Sequence, residues 1–246
     1  MSNEDNLIVD AATRIFQDMS EPGVINAAEA GEWPTDLWNT LEESGLTLAW
    51  GDEALGGAGV DMLDGFALLK TAGRFSVPAP MADTLLAAWM LSHAKLQMPT
   101  GPMTIAPTQA EARIAISADG VLTGTARHIP FGRNADHIAV LARDGDKAVV
   151  ALVKRADCAI RENINLAGEP ADEVSFDGAK AIATASAPDG LDEAALVAMG
   201  AAVRSMQMAG GLEKILDQSV QYSLERSQFG RPIGKFQAVQ HGLAEL

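Results

Sequence analysis

The chain has little cysteine, little positive charge and no long apolar run, and each shortage closes off a class of function. One cysteine, Cys158, in 246 residues leaves no internal disulfide and no cysteine-rich metal site, so a buried, inert thiol is its expected role and no metal ligands are assigned. Lys and Arg number 18 against 33 Asp and Glu, a net charge of −15, which argues against a nucleic-acid surface or a polybasic membrane patch. An anionic ligand would have to be received by local cations. No apolar stretch is long enough to cross a bilayer, and the opening Met1-Ser2-Asn3-Glu4-Asp5-Asn6 is acidic and polar, unlike a secretory or transit peptide. A cytoplasmic protein is the expectation.

What is present is enough apolar sequence, 48% of residues, for one sizeable core or two smaller ones. Three regions follow one another: a helical one over 1–98, a β region over 99–188 and a helical one over 189–246. In the first, residues 6–19 carry Leu7, Ile8, Ala11, Ile15 and Met19 at helical spacing, and Pro22-Gly23 is expected to end that helix. A second helix is expected over 35–44, with Thr35 as N-cap and Gly45 as its stop. Two more are expected over 60–75 and 81–96, parted by Pro78 and Pro80. The glycine-rich Leu55-Gly56-Gly57-Ala58-Gly59-Val60 lacks the Lys-Ser/Thr of a phosphate loop and follows no strand, so it reads as a turn feeding a helix.

The second region changes period. Short β-branched or aliphatic runs at 113–116, 121–123, 137–142, 148–153 and 174–176, with Asp119-Gly120 and Asp144-Gly145 as hairpin turns, predict a small antiparallel β domain. From Leu191 one very long helix runs through Leu224, interrupted only by Gly200 and Gly210-Gly211.

The most specific run closes the chain: Arg226-Ser227-Gln228-Phe229-Gly230-Arg231-Pro232-Ile233-Gly234-Lys235-Phe236-Gln237-Ala238-Val239-Gln240-His241. It fixes a cation, an aromatic, a glycine turn and two amides at set offsets between two helical patterns. Arg226 falls at the negative end of the long helix, which favours a cation by roughly 0.3–1 kcal/mol, and its planar fork suits a diphosphate. Gly230 and Pro232 break the helix. A new amphipathic helix is expected from Gly234, with Phe236, Val239, Leu243 and Leu246 on one face. A corner whose arginine merely caps carbonyls is the alternative reading.

This run resembles the flavin-binding signature of the acyl-CoA dehydrogenase family, and the segment Glu42-Glu43-Ser44-Gly45-Leu46 through Asp61 is similar to that family's N-terminal helical domain. The resemblance implies an α+β fold ordered helix bundle, β domain, helix bundle. It implies FAD as cofactor, with Arg226 on the pyrophosphate and Phe229 and Gln237 as further cofactor contacts. The family's Gly-x-Lys-x-Trp-Ile-Ser/Thr segment corresponds to Gly124-Thr125-Ala126-Arg127-His128-Ile129-Pro130. His128 thus takes the place of the aromatic packed on the isoalloxazine, and Pro130 that of a hydroxyl residue. The Thr-Glu-Pro turn of relatives is replaced by Thr104-Ile105-Ala106-Pro107-Thr108, followed by a shortened loop. In the family the corner arginine reaches a neighbouring subunit's cofactor, which implies a homo- or hetero-oligomer.

The activity implied is α,β-desaturation of an acyl-CoA, the β-hydride passing to flavin N5, with an electron-transfer flavoprotein as acceptor. That chemistry needs a carboxylate within reach of the α-proton, and no residue here is assigned to it. Relatives carry it in helices beyond the signature, where this chain stops in mid-helix as if cut, or on the long helix at a position falling near Gly200, which has no side chain. Glu213 and Glu225 read as solvated charges. A non-catalytic partner subunit that lends its Arg226 corner to a neighbour's FAD is the alternative expectation, and a flavin-dependent monooxygenase of the same fold a weaker one.

Overall fold

In the computed structural model, residues 7–107, 109 and 112–245 are described; Met1–Asn6, Thr108 and Leu246, which entered the sequence expectations, lie outside them. Five helices come first: α1 (Leu7–Met19), α2 (Pro22–Glu29), α3 (Thr35–Glu43), α4 (Met62–Arg74) and α5 (Met81–His93). Pro22-Gly23 does not simply end α1. Pro22 opens α2, because its missing N–H and fixed φ suit the first turn of a helix. Thr35 is likewise inside α3 rather than its cap: the N-cap is Pro34, and the Thr35 hydroxyl bonds back to the Trp33 carbonyl at 3.5 Å. Gly45 stops α3 as expected, at φ 73°, a left-handed conformation that costs glycine little. The helix expected over 60–75 begins at Met62, where Asp61 accepts the backbone N–H groups of Leu63 and Asp64.

The glycine-rich loop is a fitted turn. Gly59 N–H donates to the Gly51 carbonyl at 2.8 Å and Val60 N–H to that of Ala49 at 2.8 Å. A Cβ on Gly57 would stand 2.2 Å from the Gly51 backbone, so glycine is required there by close approach.

Among the described residues the β region contains nine strands: β1 (Met103–Ala106), β2 (Ala115–Ile116), β3 (Leu122–Thr123), β4 (Thr125–Pro130), β5 (His137–Asp144), β6 (Lys147–Lys154), β7 (Ala159–Arg161), β8 (Ala171–Ser175) and β9 (Ala181–Ser186). One sheet runs β3-β2-β5-β6-β9 with β1 also on β5, and a smaller one runs β4-β8-β7. Antiparallel pairing dominates, while β1 and β2 run parallel to β5. Strands β1, β4, β7 and β9 carried no expectation from the sequence. The expected 174–176 strand instead spans Ala171–Ser175.

Strand β5 explains the architecture. Its run Ile138–Ala142 is apolar without alternation because both faces are covered. Ala139 and Leu141 join the core made with the helices, while Ile138, Val140 and Ala142 join a second core between the sheets, with Ile129, Val174 and Phe176. Helix α5 is buried on nearly every face, as an all-round apolar helix must be. Its Thr84 hydroxyl donates to the Met103 carbonyl at 3.0 Å and accepts the Met103 N–H at 3.1 Å, fastening α5 to β1.

Helix α6 (Glu193–Glu225) follows, capped by Asp192 accepting the Ala195 N–H. Two strands, β10 (Ser227–Gln228) and β11 (Arg231–Pro232), and α7 (Gln237–Glu245) complete the order. Helix α6 crosses α4 closely: a Cβ on Gly210 would stand 1.8 Å from the Lys70 carbonyl oxygen, and one on Gly73 2.0 Å from that of Gln207. Lys70–Glu213 and Arg74–Asp217 ion pairs, each 2.5 Å, close the crossing.

Arg143 of β5 binds Glu193 through two nitrogens, its Nε at 2.7 Å, tying the sheet to the first turn of α6. Hydrogen bonding from Arg143 holds the Glu193 carboxyl below the usual carboxylate range. A carboxyl depressed in the folded state stabilises above its unfolded pKa, about 4.3, and loses that contribution as pH falls through its folded value. Glu193→Gln is therefore expected to cost roughly 1–2 kcal/mol at pH 7 and to flatten the decline in stability below about pH 4.3. Denaturant midpoints at pH 7, 4.5 and 3 test this; parallel curves for the two proteins would contradict it.

Candidate functional site

The corner after α6 is a small built element. Arg226 leaves helical geometry at φ −74°, ψ 114°, its N–H still donating to the Tyr222 carbonyl. A β-hairpin that the sequence reading missed then reverses the chain: Ser227 pairs with Pro232 and Gln228 with Arg231. Phe229 and Gly230 occupy its turn at φ 53° and 80°, both positive, as two-residue hairpin loops of the I′ kind require. The residue types did not announce it, since such turns are usually marked by Asn-Gly, Asp-Gly or Gly-Gly and phenylalanine seldom takes a positive φ. The Ile233 N–H closes the hairpin on the Arg226 carbonyl at 2.8 Å.

Aromatic packing stiffens the corner. The Arg231 guanidinium lies 4.2 Å from the Phe236 ring centroid, and the Phe229 ring meets Phe236 edge-on, 6.1 Å between centroids. A Cβ on Gly234 would stand 2.7 Å from the buried Ser223 hydroxyl, so the returning chain lies directly on the last turn of α6. Helix α7 starts at Gln237, three residues later than expected, because Ile233–Lys235 form a 3-10 turn and Phe236 is extended. Val239 and Leu243 half-bury themselves against α6.

Arg226, Phe229 and Gln237 all face outward, Phe229 being 92% exposed. Residues 226–244 hold Arg226, Arg231 and Lys235 with no Asp or Glu, a local excess of cations in an acidic chain. His128 and Pro130 lie instead on β4. His128 is exposed and left-handed, φ 56°, where the register with β8 shifts between Ala126 and Ile129; such bulges re-aim side chains. The Pro130 carbonyl accepts the Thr104 hydroxyl at 2.7 Å, linking β4 to β1 without needing the N–H that proline lacks.

The five residues thus form two groups, one on the corner and one on β4. A groove of about 390 Å³ beside the corner is lined by neither His128 nor Pro130.

The carboxylates considered for proton abstraction are engaged. Glu213 pairs with Lys70 at 2.5 Å, and Glu225 accepts from Gln221. At Gly200 a Cβ would meet nothing within 4 Å. Among the described residues no cluster of His, Cys, Asp and Glu could hold a metal ion, and no helix is long and apolar enough to cross a membrane.

Comparison with known proteins matches residues 2–94 to the acyl-CoA dehydrogenase N-terminal domain and residues 189–246 to the acyl-CoA dehydrogenase C-terminal domain. Acyl-CoA dehydrogenase IpdE2 of Mycolicibacterium smegmatis is 27% identical over 251 residues, covering 100% of this chain and 73% of that protein. Among solved structures, the ChsE4-ChsE5 complex from Mycobacterium tuberculosis superposes with a TM-score of 0.84 at 25% identity, over 100% of this chain and 73% of that one. A steroid ACAD variant, Tcur3481-Tcur3483 G363A, gives a TM-score of 0.79 at 28% identity, over 97% of this chain and 71% of that one. With both helical regions matched by domain models and the whole α+β architecture shared, the chain belongs to the acyl-CoA dehydrogenase family.

Proposed function

We propose that this chain binds FAD and serves in α,β-dehydrogenation of an acyl-CoA, presenting its Arg226 corner to the diphosphate of the cofactor. The observation that carries the reading is the corner itself: an outward arginine fork and amide, held by a hairpin, in a stretch of cations without acids. This donor set fits a dianionic diphosphate. On β4, His128 offers a ring in place of the family's aromatic. When bound, FAD supplies the hydride acceptor. Arg226, Phe229 and Gln237 would hold it, and His128 and Pro130 would border its ring system. Because the corner and β4 form separate groups, the reading places them against different cofactor molecules across a subunit boundary. An electron-transfer flavoprotein as acceptor belongs to the same reading.

A second reading is favoured by the carboxylates: Glu213 and Glu225 are engaged and Gly200 is bare. In it the chain is a non-catalytic subunit whose corner completes a neighbour's FAD site. Arg226→Ala tests the shared premise. Removing one charge-assisted contact is expected to cost about 1.5–3 kcal/mol of FAD binding, read by flavin fluorescence titration with unfolding midpoints as control. Unchanged affinity would remove the corner from the site. Anaerobic bleaching of bound flavin by an acyl-CoA separates the two readings: bleaching marks the enzyme, its absence the partner subunit.

A further inference from the structure

Helix α5 is apolar over most of its length, yet Asp83 in its first turn is buried, its side chain 2% exposed. It is the sole carboxylate of Met81–His93. Arg204 of α6 reaches it with Nη2 at 2.6 Å and holds the Gln207 side-chain oxygen with Nη1 at 2.6 Å. The pairing is incomplete on both sides. Asp83 Oδ2 is buried with no hydrogen-bond partner among the described residues. A guanidinium has five N–H groups; among the described residues Arg204 donates those two bonds, and its side chain stays 39% exposed. A buried acceptor left open calls for a group that completes it. Gly200 lies one turn before Arg204 on the same face of α6, and a Cβ on it would meet nothing within 4 Å, so open space adjoins the pair.

What remains unused is one acceptor and several donors side by side. A carboxylate ligand would meet Arg204 but also two acids. Burial pushes the Asp83 carboxyl upward, Arg204 pulls it back, and Glu169 on the loop between β7 and β8 is near enough to add to the rise; a further anion would be repelled there. A methylene would leave both the acceptor and the donors open. A hydroxyl fits, because it donates one hydrogen bond and accepts others. Resting on the acyl-CoA reading above, we infer that the acyl group this chain takes carries a hydroxyl, which donates to Asp83 Oδ2 and accepts from Arg204. Asp83 and Arg204 thereby determine specificity, since a site built to hydrogen-bond a hydroxyl rejects the analogue lacking it. Oδ2 is shut off from solvent, so the hydroxyl enters as the long Arg204 side chain shifts to make room while keeping its bond to the entering oxygen. Gln207 is a positioning residue that fixes the other Arg204 nitrogen.

The test measures binding of CoA thioesters to the full chain supplemented with FAD, by isothermal titration calorimetry. Hexanoyl, octanoyl and decanoyl thioesters are each compared with their ω-hydroxy and ω-carboxy forms. At one length or more the ω-hydroxy form is expected to bind about tenfold or more tighter than its parent, and the ω-carboxy form no tighter than the parent. In an Asp83→Leu/Arg204→Leu double variant, where an apolar pair replaces the ionic one, the preference for the hydroxyl should vanish. Gln207→Leu, which removes the acceptor that orients Arg204, should lessen it and serves if the double variant does not fold. Hydroxy forms no better than their parents at every length, a carboxy form that binds tightest, or a preference unchanged in the variants would each overturn the inference. No binding by any thioester, parents included, would overturn the acyl-CoA reading itself, and the inference with it.

Discussion

Asp172→Ala is expected to destabilise the protein by about 3–5 kcal/mol, the usual cost of breaking a buried ion pair from one side. Asp172 is fully buried and its carboxylate is the hub of the smaller sheet. It accepts the Arg133 backbone N–H at 2.7 Å, Arg133 Nε at 3.1 Å, Arg133 Nη2 at 2.5 Å and the Asn163 N–H at 3.0 Å. Alanine would strip the main partner from a guanidinium whose side chain is only 25% exposed and orphan two backbone donors. Glu162, bonded to Arg133 Nη1 at 2.8 Å, is too exposed to compensate. Urea unfolding measures the loss directly, and a change under 1 kcal/mol would show that the hub is not what holds the sheet. The effect reaches the candidate site, because Arg133 lies in the turn directly after β4. Loosening that turn should disturb His128 and Pro130 before it touches the corner, so flavin affinity in Asp172→Asn should fall while the corner stays folded.

The second large effect is expected from Arg204→Leu. Asp83 of α5 is buried and bonded to Arg204 of α6 at 2.6 Å, and its other carboxylate oxygen has no partner among the described residues. Burial pushes the Asp83 carboxyl above its ordinary value, outweighing the pull of Arg204 in the other direction. Arg204 is itself 39% exposed along its side chain, so the attraction is screened and adds little by itself. What the substitution exposes is the cost of an unpaired buried carboxylate, about 3–5 kcal/mol. The sign with pH is fixed: a carboxyl raised in the folded state binds its proton more tightly there, so stability falls as pH rises from the unfolded pKa through the folded one. The variant should therefore be least stable at pH above the folded-state value and recover as pH falls through it toward the unfolded value, about 3.9. Adding Asp83→Leu should restore much of the loss, since an apolar pair of similar size often replaces a buried ion pair without cost. A pH-independent deficit, or no rescue by the double variant, would refute the account.

Local rules made some elements legible and tertiary ones hid the rest. Helix α6 could be read from periodicity through Gly200 and Gly210-Gly211, and the β5–β6 hairpin from Asp144-Gly145, because both depend on neighbours in sequence. Strand β1 was overlooked although Met103–Ala106 is bounded by Pro102 and Pro107: four residues buried on both faces show no alternation to detect. Pro22-Gly23 misled because proline closes one helix and opens another with equal ease. The corner was the most legible part of the candidate site, its residue types being set by chemistry at fixed offsets. Its geometry was not, because the hairpin rests on Phe229 adopting a positive φ that phenylalanine seldom takes. The hubs at Asp83 and Asp172 were invisible, since their partners Arg204 and Arg133 lie 121 and 39 residues away in the chain.

Helix α6 also acts as a lever. It is gripped by α4 around Gly210 and by the Lys70–Glu213 and Arg74–Asp217 pairs, and its far end carries Arg226. At about 1.5 Å of rise per residue the arm from the last grip, at Asp217, to Arg226 is roughly 14 Å long, so a tilt of about 5° at the crossing swings the end of the helix by about 1 Å. On the proposed function, a shift of that size changes how far Arg226 reaches toward a diphosphate. The α4–α6 crossing and its two ion pairs thereby bear on where the corner points.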